Sequence, residues 1–65
     1  MEPKKIKLNR RGMELVAHSV NFRESEQLYL IKEPDAQGYA VIGIDKEGSV
    51  ITHMHKDNII MEEQD

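Results

Sequence analysis

Apolar residues along this chain mostly alternate with polar ones or fall in short runs, and few recur at helical spacing. Lys5-Ile6-Lys7-Leu8-Asn9 alternates strictly and reads as a short strand. Arg10-Arg11-Gly12 interrupts it, and the mixed apolar stretch from Met13 to Val20 reads as a second strand. Asn21-Phe22-Arg23-Glu24 has the form of a helix cap, with Asn leading and Glu three residues on. A helix over 22–32 is therefore an alternative. The consecutive Leu28, Tyr29, Leu30 and Ile31 favour a strand from Gln27 to Glu33, since such a run would surround a helix instead of lining one side.

Glu33 to Gly38 carries turn chemistry, and Tyr39 to Asp45 is rich in strand formers. Asp45-Lys46-Glu47-Gly48-Ser49 is the clearest local signal: three loop residues ending in glycine suit a type I turn with a left-handed closing residue. Ser49 to His55 is the return strand. His55 to Asn58 is a polar break suited to one 3₁₀ turn, and Ile59-Ile60-Met61 is a last short strand.

The turn at Gly48 sets a register. Asp45 faces Ser49, so Ile42 faces Thr52, Val41 faces His53 and Tyr39 faces His55. Carried across the 34–38 loop with Glu33 opposite Tyr39, it sets Leu30 against Ile42, Ile31 beside Val41 and Tyr29 over Gly43. Because residues two apart share a face, one face collects Leu28, Leu30, Ile42, Ile44, Val50 and Met54 as a core. The other collects Tyr29, Ile31, Tyr39, Val41 and Ile51, with His53 and His55 at its rim. A wetted face of an antiparallel sheet normally alternates with polar residues, so this second face calls for a cover. The cover is either the chain itself, through Ile6, Leu8, Met13, Leu15, Val16, Phe22, Ile59 and Ile60, or another molecule.

About five short strands separated by regular turn signals predict a mostly β fold. A three-stranded meander, a 3₁₀ turn at Lys56–Asn58 and a closing strand resemble an SH3-like barrel over residues 13–62. Residues 1–12 would be a basic extended arm or an edge strand, and 63–65 a solvated acidic tail. The resemblance is one of architecture and implies no function.

Composition narrows the function classes. At 65 residues the chain is one domain, and such a domain buries only about 60% of the surface its unfolded form exposes. The absence of cysteine excludes disulfides and cysteine-ligated zinc, and fits a reducing, cytoplasmic setting. No apolar run is long enough for a membrane span. Net charge is −3, yet residues up to Lys32 are net basic and those beyond are net acidic. No nucleophile elbow, phosphate loop or metalloprotease motif is present, which points to a binding protein and away from an enzyme.

The expected binding residues are Tyr29, Ile31, Tyr39, Val41, Ile51, His53 and His55, contacting another protein or a second copy. Lys4, Lys5, Lys7, Arg10 and Arg11 form a basic cluster that would serve a nucleic-acid-binding alternative, with Tyr29 and Tyr39 as stacking platforms. A third expectation is a structural subunit of a larger assembly, such as a phage particle or enzyme complex. His53 and His55 with His18 or Glu33 would be the only metal set, and without a clear third ligand no metal or cofactor is expected.

Overall fold

The computed structural model describes residues 3–62, so the expected tail at 63–65 and the first two residues lie outside the described residues. The described chain forms strand β1 (Lys4–Leu8), helices α1 (Arg10–Leu15) and α2 (Val20–Arg23), and strands β2 (Leu28–Lys32), β3 (Tyr39–Gly43) and β4 (Ile51–His55). A 3₁₀ turn (Lys56–Asn58) leads into β5 (Ile59–Met61). The five strands make one antiparallel sheet in the order β4-β3-β2-β1-β5. The fold is mostly β, as expected. Among the described residues no pairing joins β4 to β5, so the sheet is open, and a closed barrel describes it only loosely.

The stretch 13–20, expected as a strand, is instead helical at both ends. The cause is capping. The Asn9 side chain accepts the Gly12 N–H at 2.8 Å and starts α1, and Ser19 caps α2 through the Phe22 N–H. Asn21, read as the cap, lies inside α2, and the helix ends at Arg23. Residues 28–32 form the strand preferred over the helical alternative.

Gly12 sits inside α1 because the helix crosses β1 and the 3₁₀ turn closely. A Cβ there would stand 3.0 Å from Leu8 Cβ and 3.2 Å from Asn58 Cβ. Asn9 N–H donates to Asn58 C=O, tying the end of β1 to that turn.

The core is Ile6, Leu8, Val16, Phe22, Leu28, Leu30, Ala40, Ile42 and Met54, with Ile44, Val50 and Ile59 packed against it. Val16 and Phe22 bring the helical segment over one face of the sheet. That is the face expected to be core, and no charged or polar residue is buried in it.

Residues 4–8, expected as an arm or edge strand, lie inside the sheet as β1, paired with β2 on one side and β5 on the other. Lys4, Lys5 and Lys7 therefore belong to a strand, while Arg10 and Arg11 belong to α1.

Candidate functional site: the second face of the sheet

The β3–β4 register is the one set by Gly48. Tyr39 pairs with His55, Val41 with His53, Ile42 with Thr52 and Gly43 with Ile51. Gly48 adopts φ +72 and donates its N–H to Asp45 C=O, closing the turn. The Asp45 carboxylate accepts the Ser49 N–H at 3.1 Å and the Ser49 hydroxyl. The hydroxyl first, then the N–H, hold the Asp45 carboxyl below its usual value.

Across β2 the register holds at Tyr29–Gly43 and Leu30–Ile42, then shifts. A bulge between Leu30 and Lys32 sets Lys32, not Ile31, opposite Val41. Tyr29 stands opposite Gly43 as expected, but its side chain is not what crowds that glycine. The atoms nearest a Cβ at Gly43 belong to Ile31, whose Cγ1 would be 3.1 Å away. The extra residue re-aims Ile31 along the strand, as bulges do.

Directly opposed residues share a face, so the pairings lay out the surface row by row. Ile51, Gly43, Tyr29 and Lys5 form one row across four strands. His53, Val41 and Lys32 form the next, and His55 with Tyr39 a third. Lys7 and Ile60 pair near the other edge. All seven expected binding residues thus come together on one side, with Lys5 and Lys7 beside them. Lys4 pairs with Leu30, and so alternates to the core side of β1. There it reaches Glu33 at 3.8 Å, both groups well exposed.

The chain's other apolar residues do not cover this face. Ile6, Leu8, Val16 and Phe22 are used on the core side. Ile59 packs against that core, and Met13, Leu15 and Ile60, the remaining candidates, are exposed themselves. On the second face Ile51 is 52% and Tyr39 46% exposed, while Tyr29, Ile31 and Val41 are half-buried.

Two turns frame the surface. At one end the 45–48 turn approaches Ile31 and Ile51, and Tyr29 borders a shallow hollow shared with Glu26, Asp45, Lys46 and Glu47. At the other end the 35–38 turn carries Gly38 at φ +92 under the His55 ring. A Cβ at Gly38 would lie 2.7 Å from His55 Nε2, so only glycine fits there. Asp35 accepts the N–H groups of Tyr39 (3.0 Å) and Gln37 (2.9 Å), which hold its carboxyl below the usual value, with a further contribution from His53.

The His55 ring is fixed on three sides. It meets Tyr39 edge-on at 5.1 Å, its Nδ1 accepts the Asp57 N–H at 3.1 Å, and its Nε2 edge rests on Gly38. His53 is exposed. His18 lies beside Val50 and Ile51 near the helical segment, and Glu33 is taken up with Lys4. Among the described residues no three His, Cys, Asp or Glu side chains gather as a metal site.

Sequence reasoning missed Lys32 and Ile60 on this face. Lys32 is displaced there by the bulge. Ile60 is placed by β5 pairing with β1, which no local signal encodes.

No family model, no curated protein and no solved structure matches this chain. Among the described residues no helix is long and apolar enough to cross a membrane.

Proposed function

We propose that the protein is a small non-enzymatic adaptor or regulatory module that binds another protein, or a second copy of itself, through the second face of its sheet. The supporting observation is the contrast between the two faces of β3. Ala40 and Ile42 are completely buried, while Tyr39 and Val41 beside them have only partial cover and the chain's own apolar residues lie elsewhere. Aromatic anchors flanked by β-branched residues are the usual energetic centre of a protein interface. The same reading takes the module as SH3-like in arrangement and cytoplasmic, in keeping with a cysteine-free chain.

Tyr29→Asp and Val41→Asp test it. Each is expected to abolish binding while the circular dichroism spectrum and unfolding midpoint stay near wild type. Retained binding in both variants would remove the reading.

A second reading is favoured by one specific placement: Lys5 and Lys7 share a face with Tyr29. Cations beside an aromatic platform suit single-stranded nucleic acid. Retention on single-stranded DNA with steep salt dependence, lost in Lys5→Glu/Lys7→Glu, is its signature. The acidic rim of Glu26, Asp45 and Glu47 near Tyr29 counts against it.

A further inference from the structure

β4 is an end strand of the sheet, paired with β3 alone among the described residues. Its inward hydrogen bonds can be assigned. Ile44 N–H donates to Val50 C=O at 3.3 Å, and Lys56 N–H to Gly38 C=O at 2.8 Å. Both belong to one register, and hydrogen-bonded pairs alternate along an antiparallel ladder. Thr52 and Met54 therefore bond inward to Ile42 and Ala40. The main-chain N–H and C=O groups of Ile51 and His53 and the N–H of His55 point out of the sheet, while His55 C=O, at the cap position, accepts the first bond of the 3₁₀ turn. No other turn or loop main-chain bond among the described residues reaches Ile51, His53 or His55.

Proteins blunt such edges with lysine, proline, bulges or very short strands. β5, at the other edge, has three residues, and the N–H of Glu62 just beyond it folds back to Lys5 C=O. β4 has none of these devices. It is five residues long, Ile-Thr-His-Met-His, with a register free of shifts and no lysine, proline or carboxylate. A groove of ≈ 430 Å³ runs along it, lined from both sides of the sheet by Tyr39 and His53 and by Leu15 and Met54. The edge is reachable by an extended chain.

We infer that the chain pairs with a second copy of itself, β4 to β4, antiparallel about His53. The outward positions 51, 53 and 55 are symmetric about 53, so a twofold axis there sets Ile51 against His55 of the other copy and His53 against its own counterpart. About four main-chain hydrogen bonds close, two between the His53 residues and two from His55 N–H to Ile51 C=O of the other copy. With histidine neutral the strand carries no charge, so like meets like without repulsion. The contact is isologous and closes as a dimer, which stops further growth through this edge. It uses main chain, so it stands independently of the proposed use of the second face, which would run on across the dimer.

The test is sedimentation equilibrium combined with amide hydrogen exchange across a range of protein concentration. A dimer is expected, with the His53 and His55 amides becoming protected as concentration rises. His53→Pro removes an outward N–H that the β3–β4 ladder does not use, and is expected to raise the dimer dissociation constant at least about tenfold. His53→Ala, which keeps that N–H, should change it less than about threefold. A monomer at every concentration would overturn the inference. So would a dimer whose His53 and His55 amides exchange freely, or one that Tyr29→Asp dissociates as fully as His53→Pro. If His53→Pro fails to fold, the exchange pattern of the unaltered protein still decides.

Discussion

Gly38 carries a constraint that neither its burial nor its loop position announces. Its φ of +92 and the 2.7 Å approach of His55 Nε2 to a virtual Cβ leave no room for a side chain. Gly38→Ala is expected to lower stability by at least about 1 kcal/mol in urea unfolding, because strain and clash act together. A larger effect on the Tyr39–His55 contact than on the core would show as a shifted His55 ring resonance. Asp35 and Asp45 act in the two turns that frame the second face. Both carboxyls are held below the ordinary aspartate value, Asp35 by the Tyr39 and Gln37 N–H groups and Asp45 by the Ser49 hydroxyl and N–H. The sign follows from linkage: the stabilisation is fully present above the unfolded value and is lost as pH falls through the depressed folded values. An acid titration of wild type against Asp35→Asn/Asp45→Asn should show the full difference above the unfolded aspartate pKa of about 3.9, closing as pH falls through the depressed folded values.

The strands and helices differ in how local their causes are. α1 rests on one side-chain cap, so Asn9→Ala should cost about 1 kcal/mol, measured as a lower unfolding midpoint. The β3–β4 hairpin was legible because the Gly48 turn fixes which residues meet, and pairing then follows by counting. The 3₁₀ turn and β5 were legible from polar and apolar runs. The helices at 10–23 were not. Six- and four-residue helices are too short to show a period, and the caps that make them, Asn9 and Ser19, are followed by no acidic residue at the third position. The bulge at Ile31 was hidden for another reason: Leu28 to Ile31 is uniformly apolar, so a slip of one residue leaves no trace in the pattern. On the candidate site, the expected residues of the second face lie where the register put them except Ile31, which the bulge displaces from Val41, while the basic cluster divides between β1 and α1.

For the whole molecule, burial is one-sided. The helical segment and the first and last strands all contribute to a single core, and a domain of 65 residues has about 3–10 kcal/mol of stability in total. Ile42, fully buried, carries a large share: replacing such a residue by alanine costs about 2–5 kcal/mol. The second face contributes less to folding and is available for contact. Two adjacent residues of β3 separate these roles, because Ile42 points into the core and Val41 away from it. The decisive measurement is urea unfolding of Val41→Asp beside Ile42→Asp. We predict a cooperative transition within about 1 kcal/mol of wild type for the first and no folded state for the second. Equal collapse of both variants would mean that the apolar outer surface is structural interior, and the account of an open binding face would fail.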